Sequence, residues 1–187
     1  IQGEVLSDSY SLGMYATDAS FYQITPLAVV LPMDTADAKK AVEIARKHKI
    51  KILPRGGGTS LAGQTVGEAL VLDFSKYMNR ILEVNVEERW VRVQPGLVRD
   101  ELNEEMAKHK LHFAPDPATS SRANVGGMVG NNSSGTKSIL YGKTVDHVLE
   151  AEVLLADGTQ MTLKELSPEE LNQKAQQQTR EGEIYRN

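Results

Sequence analysis

The chain contains no cysteine. Disulfides, thiolate ligation of zinc or an iron–sulfur cluster, a redox thiol pair and a cysteine nucleophile are therefore excluded within these residues. Aromatic residues make up only 5% of the 187, and no apolar run approaches the ~18–20 residues that span a bilayer. Ile1 to Asp8 lack the basic start and apolar stretch of a secretory signal. The expected place is thus the cytoplasm, with peripheral docking at a membrane left open for the intact protein. Neither sign of charge dominates, since the net charge is −4. Without a dense Lys/Arg cluster, the concentrated basic surface that grips a nucleic-acid backbone is missing, and that partner is excluded. The four His residues, His48, His109, His112 and His147, show no H-E-x-x-H spacing and read as structural or surface groups, not metal ligands. Electrons handled here must travel on a bound organic cofactor.

What is present is a globular composition, 40% apolar and 25% charged, enough for one ordinary domain or two small subdomains sharing a core. Residues 27–31 form a β-branched apolar run stopped by Pro32, which predicts a buried strand. Asp34 or Thr35 can cap a helix in which Ala38, Ala41, Val42 and Ala45 share one face. Ile50, Ile52 and Leu53 predict a second strand, paired in parallel with the first in a βαβ unit, and Leu70–Phe74 a third. Alternating runs over 81–86 and 90–93 predict an antiparallel hairpin, followed by a helix over 97–108. Residues 114–136 carry almost no regular signal. Strands are expected over 148–155 and 161–163 about an Asp157-Gly158 turn. Ser167-Pro168-Glu169-Glu170 then starts a helix in a polar stretch that buries little.

Two stretches carry chemistry. The first, Pro54-Arg-Gly-Gly-Gly-Thr-Ser-Leu-Ala-Gly-Gln64, follows a predicted strand. Its consecutive glycines admit φ > 0 and remove every Cβ, so backbone N–H groups can converge on an anion. Thr59 and Ser60 add hydroxyls and Gln64 an amide. No Gly-Lys-Ser/Thr follows, so it is not a Walker loop, and Leu61 stands where G-x-G-x-x-G needs its third Gly. Set against a plain surface turn, the preceding strand and following hydroxyls favour a diphosphate cradle. The second stretch runs from Pro115 to Gly135. A structureless loop of that length is unusual in a compact domain unless functional or disordered, and Val125, Met128 and Val129 read as core anchors that disfavour disorder. Its small polar side chains suit a long, narrow ligand passing close to the backbone.

At these residues the chain resembles the FAD-linked oxidase family, whose FAD domain is shared with vanillyl-alcohol oxidase and para-cresol methylhydroxylase. Within it the similarity is strongest to D-lactate dehydrogenases and the flavin subunit of glycolate oxidase. The matching motifs are P-R-G-G-G-T-S-L-A-G-Q (54–64), P-D-P-A-T (115–119), V-G-G-M-V-G-N-N-S-S-G (125–135), Y-G-K-T-V-D-H-V-L (141–149) and L-L-A-D-G-T (154–159). Y-A-T-D-A-S-F-Y (15–22) also resembles the start of such domains, and the coverage runs from about Ser9 to Leu163. The resemblance implies an α+β, two-subdomain para-cresol-methylhydroxylase-type fold. A small βαβ subdomain (1–76) joins a larger, mostly antiparallel sheet with helices (77–163), and a polar helical tail (164–187) leads out of a fold left incomplete at its C-terminus.

FAD is expected along the seam. Pro54, Arg55, Gly56, Gly57, Gly58, Thr59 and Ser60 would hold the diphosphate, with Gln64 nearby and Arg55 acting mainly through its backbone. Asp116, Pro117, Asn124, Gly126, Gly127, Gly130, Asn131, Ser133, Ser134 and Gly135 would line the rest. Covalently flavinylated relatives place a His in the first loop where this chain has Gly58, so the flavin is expected to be non-covalent. The family's later Glu-Gly-x-Leu-Gly-type stretch and its substrate domain do not occur in this sequence. Catalytic residues and the pocket for a small 2-hydroxy acid are therefore expected outside it, with an iron–sulfur partner or fused domain as electron acceptor. Two alternatives stay open: the FAD module of an alcohol, sugar or amine oxidase or an ether-lipid synthase, and a binding protein that kept the fold and lost the cofactor.

Overall fold

A computed structural model describes residues 1–187, which fall into two compact units, Ile1–His147 and Val148–Asn187. The first unit is built on a four-stranded sheet of β1 (Glu4–Leu6), β2 (Ala28–Leu31), β4 (Leu70–Asp73) and β3 (Ile52–Arg55), in that spatial order. β1 runs antiparallel to β2, while β2, β4 and β3 are mutually parallel. β4 reads Leu-Val-Leu-Asp and is buried at every position, the pattern of a parallel strand covered on both faces. Val29, Leu31 and Val71 form its core, with Leu6, Leu12, Tyr15, Leu53 and Tyr77 packed around them.

The expected direct pairing of the two strands flanking the first long helix is corrected here. β4 lies between β2 and β3, so α2 (Thr35–Lys47) connects strands that are next-nearest neighbours. β4 is more continuously apolar than β3, and it takes the slot where both its faces are covered. α2 itself forms as its pattern dictates. The Asp34 side chain accepts the Asp37 N–H at 2.8 Å, a strong cap, and Ala38, Ala41, Val42 and Ala45 are all buried. Asp37 also accepts from the backbone N–H groups of Gln2 at 2.8 Å and Gly3 at 2.7 Å. That ties the start of the chain to the helix. β1 and the helix α1 (Ser9–Tyr15), capped by Asp8, carry too little periodicity to be read from the sequence.

The hairpin β5 (Ile81–Asn85) and β6 (Trp90–Val93) forms as expected, with a bulge between Ile81 and Glu83. Against it packs α3 (Arg99–Ala107), around a core of Leu97, Leu102 and Met106 that Ile81, Val84, Val91, Val93 and Phe113 surround. The stretch expected to lack regular structure holds α4 (Val125–Asn131), a second correction. Its glycines hide the helix from any propensity reading. Met128 anchors it at 1% exposure, whereas Val129 is 40% exposed and is no anchor. A short α5 (Ser138–Tyr141) and a 3₁₀ turn (Thr144–His147) close the unit.

The second unit holds the hairpin β7 (Glu150–Leu154) and β8 (Gln160–Lys164), then α6 (Pro168–Gln176) and α7 (Arg180–Arg186). Ser167 and Glu170 make a reciprocal capping box at the start of α6, which buries no residue along its length. Arg180 pairs with Asp157 at 3.1 Å, and Lys174 pairs with Glu181. No helix of the chain is long and apolar enough to cross a membrane.

Candidate cofactor-binding site

The glycine loop leaves the carboxyl end of β3, where open α/β sheets place their ligands. Pro54 is still paired with Leu72 and Arg55 with Asp73, so the strand sets the loop's exit. Of the three consecutive glycines only Gly58 takes a positive φ, of 64°, and Gly63 further along the loop takes 71°. The two expected uses of the glycines divide between residues: Gly58 takes the positive φ, while Gly56 and Gly57 are needed for closeness. A Cβ at Gly56 would overlap Asn124 Oδ1, and one at Gly57 would overlap the Arg122 carbonyl oxygen. Thr59 and Ser60 are half-buried. Ser60 Oγ bonds Gln64 Oε1 and accepts the Ala62 N–H at 3.3 Å.

The Arg55 side chain turns away from this loop's outer face. Its Nη1 donates to the carbonyls of Tyr15 at 3.1 Å and Thr65 at 2.9 Å. Its Nη2 donates to the Thr17 carbonyl at 2.7 Å, and the guanidinium carbon lies 5.2 Å from the centroid of the Tyr15 ring. Burial lowers its pKa, opposed by the negative charge of Asp73, and the group stays a cation. Tyr15 Oη donates to Asp73 Oδ2 at 2.6 Å. Burial first, then that carboxylate, pushes the phenol above its ordinary range. Asp18 accepts from Thr65 Oγ1 at 3.0 Å and from the Ser20 N–H at 2.8 Å. Burial raises the Asp18 carboxyl, but these bonds outweigh it and the net shift is downward. The Ala19 N–H donates to the Gly58 carbonyl at 2.9 Å. Sequence reasoning noted residues 15–22 only as part of the motif series and missed these contacts, which no local pattern announces.

The second stretch meets the first through Asn124. Its Nδ2 donates to the Gly96 carbonyl, while its Oδ1 is buried against the glycine loop with no hydrogen-bond partner. Gln64 Nε2 donates to Asn131 Oδ1 at 3.0 Å across the two stretches. Gly126 is held from the other side, its N–H donating to the Pro95 carbonyl at 2.8 Å. Gly127 and Gly130 lie on the exposed face of α4, and a Cβ at either would meet nothing. Ser133 is half-buried, and its carbonyl accepts the Thr144 hydroxyl at 2.7 Å. Ser134 stands exposed.

Asp116, Pro117 and Gly135 are a separate cluster. Asp116 accepts the Lys137 N–H at 3.0 Å and the Thr136 hydroxyl at 3.3 Å. Gly135 lies so close to Asp116 that a Cβ would overlap its carbonyl, and Pro117 accepts the Ser120 N–H at 2.9 Å. The contacts thus join 56–57 with 122–124 and Gln64 with Asn131, but they do not link Asp116, Pro117 or Gly135 to the glycine loop. His147 Nε2 lies 2.8 Å from the Tyr141 carbonyl, outside both groups.

These features fit a dinucleotide. An unpartnered buried acceptor stands beside a loop stripped of side chains, and one helical face is bare at two positions one turn apart. An unmet buried acceptor costs free energy unless a donor reaches it.

Comparison with known proteins agrees. The family described as FAD binding domain matches residues 26–164. The chain is 43% identical over 188 residues to a D-2-hydroxyglutarate dehydrogenase of Pseudomonas putida, covering 99% of this chain and 19% of that protein. It is 37% identical over 148 residues to the glycolate oxidase subunit GlcD of Bacillus subtilis, covering 78% of this chain and 31% of that one. Among solved structures, 6-hydroxy-D-nicotine oxidase of Arthrobacter nicotinovorans superposes with TM-score 0.77 at 23% identity, over 88% of this chain and 36% of that one, which shows the shared fold. The chain spans about a fifth of the length of the dehydrogenase it matches.

Proposed function

The chain belongs to the FAD binding domain family, and on that premise we propose that it is the cofactor-holding part of a flavin-dependent D-2-hydroxy-acid dehydrogenase. The observation that carries the reading is the close approach of Gly56 and Gly57 to Arg122 and Asn124, which brings the two motif stretches together at the end of a parallel strand. In this reading Arg55 to Ser60 hold the diphosphate through backbone N–H groups, with Gln64 and Asn131 bonded beside them. Asn124 and the Gly127–Gly130 face of α4 line the path onward, followed by Ser133, Ser134 and the Asp116–Pro117–Gly135 cluster. The seam lies between subdomains 1–76 and 77–163.

FAD, when bound, supplies the acceptor for a hydride from the substrate carbon. This chain's residues bind and orient; the base that takes the hydroxyl proton belongs to the rest of the protein. The flavin is held without a covalent bond. Position 58 has no side chain, and Arg55 Nη2 lies 2.8 Å from where a Cβ would sit. The substrate class follows the named activities of relatives at 43% and 37% identity, both of which concern small 2-hydroxy acids. Electrons would leave to an iron–sulfur partner or fused domain, whose thiolates this cysteine-free chain cannot provide.

The test is purification of the intact protein. It should be yellow, absorbing near ~450 nm as bound flavins do, and should bleach anaerobically with D-2-hydroxyglutarate, D-lactate or glycolate. A colourless protein that takes up no FAD would favour the binding protein that lost its cofactor. A yellow protein bleached by none of the three would sink the substrate class.

A further inference from the structure

We propose that the Arg55 side chain positions the glycine loop: its guanidinium clamps the leading segment 15–18 and Thr65 around Gly56–Ser60, and the guanidinium, unlike the Arg55 backbone, does not contact the diphosphate. The proposal rests on the FAD reading for its ligand, but its geometry stands apart from it. Three main-chain carbonyls, from Tyr15, Thr17 and Thr65, converge on the one group at 3.1, 2.7 and 2.9 Å. The face of the group is covered by the Tyr15 ring. Nη2 packs directly beneath Gly58, 2.8 Å from the position of a Cβ. With three of its five N–H donors on main-chain carbonyls and its face on an aromatic ring, the guanidinium is committed chiefly to the protein's own backbone.

The clamp is reinforced from the other side. Asp18 holds Thr65 through its hydroxyl at 3.0 Å, and Ala19 N–H reaches the Gly58 carbonyl at 2.9 Å. The segment thus fixes the carbonyl at the turn of the loop. Arg55 is followed by the loop and is also its anchor, so the residue beside the ligand site acts through Tyr15, Thr17 and Thr65. Burial works against the guanidinium's charge, and the negative charges of Asp73 and Asp18 favour it.

Lysine keeps the charge but has a compact ammonium that cannot reproduce a planar fork reaching three fixed carbonyls. The experiment compares R55K and R55Q in the intact protein. FAD affinity is titrated at two ionic strengths, and amide hydrogen exchange is followed with the flavin removed. Both variants should weaken FAD by about tenfold or more and to similar extents, with the salt dependence of the wild type. In the flavin-free protein, exchange at Ala19 and Thr65 should accelerate while Val29 and Val71 keep their protection.

Two results would overturn the clamp. One is R55K binding FAD like the wild type. The other is R55Q losing FAD affinity and salt dependence with flavin-free exchange unchanged, the mark of direct charge pairing. If neither Arg55 variant folds, D18N with T65V loosens the same segment and leaves the guanidinium intact. It should weaken FAD severalfold, and unchanged affinity there also defeats the proposal. Failure of wild-type protein to bind FAD would strike the cofactor reading and leave the exchange results standing.

Discussion

At Gly58 the backbone turns to a φ of 64°, a conformation open to few side chains, while at Gly56 and Gly57 the neighbouring stretch leaves no room for a Cβ. Adjacent residues of one type thus answer two different constraints. Gly57→Val should abolish FAD retention because its Cβ would push the Arg122 carbonyl away and reopen the loop contact. The flavin-to-protein absorbance ratio reads this, with His109→Ala as a control that should change nothing. Gly127 and Gly130 make the opposite case. A Cβ there meets only open space, and Gly→Ala inside a helix stabilises by about 0.5–1 kcal/mol. Gly127→Ala and Gly130→Ala should therefore raise the melting temperature of the flavin-free protein slightly and yet weaken FAD. Variants that gain stability and bind FAD as before would remove this face of α4 from the site.

The elements divide by how local their causes are. α2 was readable because its cap and its buried alanines lie within one stretch of sequence, and the β5–β6 hairpin because its alternation does. The helix α4 escaped because Gly126, Gly127 and Gly130 lower its intrinsic propensity, and burial of Met128 with the backbone bond from Val125 N–H to the Leu97 carbonyl at 2.8 Å holds it in place. Tertiary contact overrides propensity there. The bond from Gln64 to Asn131 joins residues 67 apart in the chain and links the glycine loop to the end of α4. In a double-mutant cycle, Gln64→Ala and Asn131→Ala should couple by about 0.5–1 kcal/mol in FAD affinity. Strict additivity would show that the two stretches act independently on the ligand.

For the molecule as a whole, acid should loosen the first unit from its N-terminal edge. The backbone N–H of Gln2 chiefly, with those of Gly3 and Met33, holds the Asp37 carboxyl below its ordinary pKa. A group depressed in the folded state stabilises fully above its unfolded value of about 3.9, and this is lost as pH falls through the lower folded value. Melting temperatures from pH 7 down to 3 should fall less steeply in Asp37→Asn than in the wild type; parallel curves would refute the assignment.

By itself the amino-acid order determined the secondary structure wherever periodicity was strong, the order of the motifs, and through them the family and its cofactor. Packing in three dimensions decided which strand fills the middle of the sheet, why Gly56 and Gly57 cannot carry side chains, and where the Arg55 guanidinium is engaged. The reason is range. Periods and caps act over a few residues, whereas the Thr17 carbonyl that accepts from Arg55 lies 38 residues away in the chain, and no local pattern encodes a neighbour that only folding supplies.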